Sequence, residues 1–161
     1  MIVFLDFDGV LHPDPCTDRG RLFEHAPRLA QSLADFAEVG LVLSTAWRTV
    51  KPFDELLELL PADLGQRIVD ITPTFGDFEA LAPLTPYRRQ AECVQWLHQN
   101  RLQDEAWLAL DDRPDGFAPY CENLITCHPA FGFDRQIQAR LRSALERYRQ
   151  RCRGEVDLQI D

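Results

Sequence analysis

The chain has 161 residues, 45% of them apolar, and a formal net charge of −9 at pH 7. That is the size of a single domain, expected over 1–161, able to bury a substantial core, and the acidic balance argues against nonspecific polyanion binding. With no apolar run approaching 18 residues and no signal-like start, the sequence predicts a cytoplasmic protein with no membrane partner.

The charge is uneven. Residues 1–133 carry 21 acids and 10 bases, whereas residues 134–153 carry 7 arginines and 2 acids. Five cysteines (Cys16, Cys93, Cys121, Cys127, Cys152) at irregular spacing, with no CxxC pair, predict free thiols rather than disulfides or a zinc site.

The first eleven residues organise the rest. Ile2, Val3, Phe4 and Leu5 are too continuously apolar for a half-exposed strand and predict one buried on both faces, as in a parallel sheet between helices. Asp6 and Asp8 follow, and in extended backbone such i, i+2 positions share a face roughly 6.5 Å apart. Two carboxylates about 5 Å apart repel by roughly 3 kcal/mol at an effective dielectric of 20; a hard divalent cation offsets that cost. Gly9 lets the chain turn there without a Cβ.

Residues 10–26 read as a polar loop, carrying His12, Asp14 and His25, and placed either as a flap over the site or as a surface excursion; His12 is read as a solvated loop histidine. Residues 27–39 predict a helix, with Pro27 in its first turn and Gly40 at its end. Leu41, Val42 and Leu43 then form a second strand, so the first 45 residues predict a right-handed βαβ unit. Ser44 and Thr45 close that strand at the same sheet edge as Asp6, where a hydroxyl and backbone N–H groups can hold a phosphoryl oxygen or cap a helix.

A helix over 51–60 closed by Pro61, a short extended piece over 67–71 and a loop over 72–86 follow; Phe75 and Phe78 in that loop are read as local packing. Thr85-Pro86 predicts the start of a helix to Asn100, Thr as N-cap. Arg88 and Arg89 occupy its first turn, where cations oppose the helix dipole, which points to an anionic partner. Residues 106–110 predict another buried strand ending in Asp111, Asp112 and Asp115. If it lies parallel to the first, several carboxylates share one edge, tolerable around an oxygen-preferring cation with few protein ligands such as Mg²⁺. One more strand over 124–127 precedes a long amphipathic helix capped by Asp134, whose arginine-rich outer face is read as solvated rather than as a polyanion site.

The order DFDGV (6–10), Ser44 in LVLSTAWR, Arg89 in TPYRRQAEC and LALDDRPD (108–115) resembles the haloacid dehalogenase (HAD) superfamily of aspartate-nucleophile phosphohydrolases, and the wording DGVLHP, LSTAWR and LALDD is similar to the capless HAD domains of Swiss Army Knife RNA-repair proteins. The resemblance implies one three-layer α/β/α Rossmann-like domain with a mostly parallel sheet and no full cap. It implies Asp6 as nucleophile and Asp8 as general acid then base. Mg²⁺ would be held by Asp6, Asp111 and the backbone carbonyl of Asp8, with Asp112 or Asp115 orienting metal-bound water. Ser44, with Thr45 beside it, and Arg89 or the equally placed Arg88 would grip the phosphoryl oxygens. The implied activity is phosphomonoester hydrolysis on a bulky phosphorylated substrate such as an RNA or DNA end or a nucleotide. The competing expectation is a phosphate-sensing or partner-binding module without turnover, motivated by Trp47-Arg48 and the arginines of the last helix.

Overall fold

The computed structural model describes residues 1–74, 83–84 and 86–157. Its centre is a five-stranded, all-parallel sheet: β1 (Ile2–Leu5), β2 (Gly40–Leu43), β3 (Ile68–Ile71), β4 (Trp107–Asp111) and β5 (Leu124–Thr126), in the order β3-β2-β1-β4-β5. β1 is flanked on both edges, Leu5 lying level with Leu43 on one side and with Leu110 on the other.

Alternation along β1 builds the two cores. Val3 and Leu5 face one layer, where they join Leu29 and Leu33 of α1 (Ala26–Leu33), Leu56 of α2 (Phe53–Glu58), Leu64 of α3 (Ala62–Gly65) and Ile137, Leu141 and Leu145 of α5 (Arg135–Asp157). Ile2 and Phe4 face the other layer, packed with Cys93, Trp96 and Leu97 of α4 (Arg88–Gln99). Trp96 also ties α4 to β3, its indole N–H donating to Asp70 Oδ2 at 2.7 Å. The expected three-layer α/β/α architecture is therefore present, and all five cysteines are free. No helix of the described residues is long and apolar enough to cross a membrane.

Several boundaries differ from the sequence expectation. α1 ends at Leu33 rather than continuing to residue 39, because Phe36 and Val39 are buried from a turn instead of a helix face. Gly40 is the first residue of β2, not a helix end. Pro61 stands before α3 as much as after α2. α4 starts at Arg88 with Tyr87 at its N-cap position, two residues later than the expected Thr85-Pro86 start; Thr85, Phe75 and Phe78 themselves lie outside the described residues.

The segments between the strands that a cap would extend contain, among the described residues, α1 with its preceding loop, then α2, α3 and β3. All strands run the same way, so the loops after β1, β2, β4 and β5 open on one carboxyl rim, where open α/β sheets bind ligands.

Candidate active site

Asp6 follows β1 on that rim. Its backbone N–H donates to Leu110 O at 3.1 Å, which locks the level of β1 against β4, and Phe7 N–H donates to Asp6 Oδ1 at 2.8 Å. One residue beyond the Leu5–Leu110 pairing, Asp111 ends β4 at the same height. Carboxylate oxygens of Asp6, Asp111 and Asp112 all come within 4.8 Å of one another. Asp6 and Asp111 are each 1% exposed.

Burial, followed by the field of Asp111, raises the pKa of Asp6, and burial raises that of Asp111. Asp111 Oδ1 accepts from Arg113 N–H at 2.8 Å, but Asp111 Oδ2 is buried with no hydrogen-bond partner. A buried carboxylate oxygen that accepts no hydrogen bond and faces two further acids fits a hard cation: the donors are all oxygen, and few enough to leave positions for water, as Mg²⁺ prefers.

Arg89 is the counter-charge already in place. From the second residue of α4 its Nη2 donates to Asp6 Oδ2 at 3.1 Å, its Nη1 to the Ser44 carbonyl, and its Nε lies 3.9 Å from Asp111 Oδ2. Burial disfavours its charge, yet Asp6 and Asp111 outweigh that and hold its pKa above the ordinary guanidinium value. The stem of Arg89 packs on Gly116, where a Cβ would approach Arg89 Cγ to 2.6 Å. Arg88, by contrast, is exposed and lines a groove of about 420 Å³ beside Arg89 with Arg48, Thr74 and Arg113. The structure thus separates the two neighbours: only Arg89 reaches the carboxylates.

Ser44 is buried at the end of β2, its N–H donating to Leu5 O at 2.9 Å. Thr45 spends its hydroxyl locally, accepting from Trp47 N–H at 3.3 Å as the cap of a short 3-10 turn over Ala46–Thr49. Arg48 points inward, donating to the carbonyls of Ser44 and Thr45 and pairing with Glu92 at 2.6 Å. Asp115 does not join the carboxylate group; it is exposed and pairs with Arg113 at 3.3 Å.

The Asp8 carboxylate also stands outside that group. It accepts from His12 Nε2 at 3.0 Å and from Trp47 Nε1 at 2.8 Å. The His12 bond foremost, opposed by burial and aided by Trp47, lowers its pKa. His12 was expected to be solvated; it is 1% exposed, because the 10–26 loop turns inward and is pinned there by His25 N–H to Leu11 O and Phe133 N–H to Val10 O. Nothing in the spacing of a single histidine and tryptophan 35 residues apart signals that both reach one carboxylate.

A parallel α/β sheet with acids after its first and fourth strands, a serine after its second and an arginine opening the helix between them is a HAD-type hydrolase arrangement. The family described as the HAD domain in Swiss Army Knife RNA repair proteins matches residues 2–137 of the 161. The chain belongs to that family. No curated protein matches it significantly.

Proposed function

We propose that the chain is a Mg²⁺-dependent phosphomonoesterase that works through an aspartyl-phosphate on Asp6. The observation that carries this is the convergence of the buried Asp6 and Asp111 with the half-buried Asp112, and a buried Asp111 oxygen that accepts no hydrogen bond. Those three carboxylates would hold Mg²⁺, which when bound offsets their mutual repulsion and polarises a phosphoryl group.

The chain's own residues then divide the work. Asp6 attacks phosphorus, so that an Asp6 O–P bond forms as the bond to the leaving oxygen breaks. Arg89, beside Asp6 and anchored on the Ser44 carbonyl, and the Ser44 hydroxyl grip the remaining phosphoryl oxygens. Asp8 transfers a proton to the leaving alcohol and later takes one from the water that splits the aspartyl-phosphate. Since both Asp8 oxygens accept N–H bonds, Asp8 rests as a carboxylate; the first proton arrives on the substrate's phosphate monoanion, whose second pKa is about 6, and passes through Asp8 to the leaving oxygen, while the proton later taken from water leaves with the released phosphate.

The rim carries no cap among the described residues, which suits a bulky substrate, and the family's description names RNA repair; both favour a phosphorylated RNA or DNA end. Two of the features that motivated a non-catalytic module, Trp47 and Arg48, are used internally, since Trp47 holds Asp8 and Arg48 holds Glu92. The test is turnover of an aryl phosphate and of 3′- and 5′-phosphorylated oligonucleotides across a Mg²⁺ titration. Metal-dependent turnover absent in Asp6→Asn is expected; equal turnover by that variant overturns the assignment.

A further inference from the structure

We propose that His12 and Trp47 are positioning residues that fix the Asp8 carboxylate for proton transfer, an inference that rests on the phosphomonoesterase reading. They arrive from different loops and take one oxygen each, His12 Nε2 on Oδ1 at 3.0 Å and Trp47 Nε1 on Oδ2 at 2.8 Å. Phe23 N–H donates to His12 Nδ1 at 3.5 Å, which leaves Nε2 as the nitrogen that carries the hydrogen toward Asp8.

The donors themselves are held. The rings of Phe7, Phe23, His12 and Trp47 pack on one another at centroid distances of 5.1 to 6.0 Å, mostly edge to face. Phe7 and His12 are almost wholly buried, so their freedom to rotate is small.

Stability alone does not account for this. The Asp8 side chain remains 38% exposed, and water can satisfy a carboxylate in such a place. An apolar residue at position 12 would fill the same aromatic box without bringing a polar ring indoors, where an imidazole costs desolvation. What histidine adds over leucine, and tryptophan over phenylalanine, is an N–H aimed at Asp8. Two such bonds stop the carboxylate from rotating about its terminal torsion, which is otherwise broad. Proton transfer needs the acid within about 2.6–3.2 Å of the reacting oxygen, and a displacement of about 1 Å can cost on the order of 10²-fold.

The 10–26 loop gains a role in the same step. It carries His12 to Asp8 and sets the Phe23 ring edge-on to His12 at 5.1 Å.

The experiment compares kcat/KM for p-nitrophenyl phosphate, whose leaving group needs little protonation, with that for an alkyl phosphate such as glycerol 2-phosphate, whose leaving group needs it. His12→Ala, His12→Gln and Trp47→Phe are measured beside wild type, with melting temperatures recorded for all. Loss of the Asp8 hold predicts that His12→Ala loses about tenfold more kcat/KM on the alkyl than on the aryl substrate, mainly through kcat. His12→Gln, which keeps an N–H donor, recovers most of that loss, and Trp47→Phe shows the same selective pattern. An equal loss on both substrates, or a His12→Gln variant as impaired as His12→Ala while melting like wild type, overturns the inference. If His12→Ala fails to fold, His12→Gln and Trp47→Phe decide: His12→Gln near wild type with a selective loss in Trp47→Phe supports it, and no selective loss in Trp47→Phe overturns it. Absence of wild-type turnover on both substrates would instead sink the phosphomonoesterase reading, and this inference with it.

Discussion

Gly9 and Asp112 are packed so closely that a Cβ on Gly9 would stand 2.3 Å from Asp112 Oδ2, and Gly9 has a φ of +64°. Both facts demand glycine, one through backbone conformation and one through space. The turn after β1 is therefore what lets Asp112 lean in toward Asp6 and Asp111. Gly9→Ala is expected to push Asp112 outward, raising the Mg²⁺ concentration for half-maximal turnover and lowering kcat by tenfold or more. A Mg²⁺ titration of the variant checks it, with circular dichroism confirming the fold.

Metal-free protein carries the repulsion among the buried acids as a pH signature. Asp6 and Asp111 have pKa values raised in the folded state, so between the ordinary carboxylate value and the raised ones the folded state binds more protons than the unfolded. Stability accordingly falls as pH rises through that window. Melting curves with a chelator are expected to show the midpoint dropping from weakly acidic pH toward neutrality, and saturating Mg²⁺ is expected to flatten that slope. A slope of the same sign and size with and without Mg²⁺ would contradict the assignment of these acids as its ligands.

Arg89 and Arg88 are adjacent in sequence and unlike in place. Removing the Arg89 guanidinium leaves Asp6 beside Asp111 with no cation and takes a donor from the phosphoryl site. Arg89→Ala should cost on the order of 10²-fold or more in kcat/KM for an aryl phosphate. Arg89→Lys should recover part of this, since an ammonium keeps the charge but not the two-pronged contact. Arg88→Ala should stay within about threefold on the same substrate. Steady-state kinetics on the three variants separates them.

Phe4 sits at the middle of β1 with no exposure, edge-on to Trp96 at 5.8 Å and to Trp107 at 5.7 Å. Phe4→Ala should cost about 3–5 kcal/mol, or roughly 10 °C in Tm for a domain of this size. Thermal unfolding reads it directly.

The arginines of α5 run away from the rim. The helix starts at the carboxyl edge after β5 and rises about 1.5 Å per residue, so Arg149 lies some 20 Å along from Arg135. Arg142 pairs with Asp35 at 3.2 Å and Arg149 with Glu38 at 2.9 Å, and both guanidinium groups lie over the Phe36 ring. Arg142→Ala and Arg149→Ala should therefore leave turnover of a phosphorylated oligonucleotide within about twofold of wild type.

What the sequence disclosed and what it hid have physical causes. The apolar runs before Asp6, Ser44 and Asp111 are buried on both sheet faces, so each strand and the acid or hydroxyl that ends it were legible, as was their meeting on one rim. The extent of α1 was not, because Leu33 and Phe36 keep helical spacing although only the first is helical; apolar spacing reports burial, not hydrogen bonding. Thr45 shows the ambiguity of hydroxyls at strand ends, since its oxygen caps a turn. His12 and Trp47 were hidden because their convergence on Asp8 depends on two loops folding inward, which no local pattern encodes.

The most direct test is to find where the phosphoryl group goes. Protein mixed with ³²P-labelled phosphomonoester and Mg²⁺, quenched in acid and digested, should carry label on the peptide containing Asp6, sensitive to hydroxylamine and absent from Asp6→Asn. Turnover that leaves no label on that peptide at any quench time, or label that persists in Asp6→Asn, would contradict the role of Asp6 as the phosphoryl acceptor.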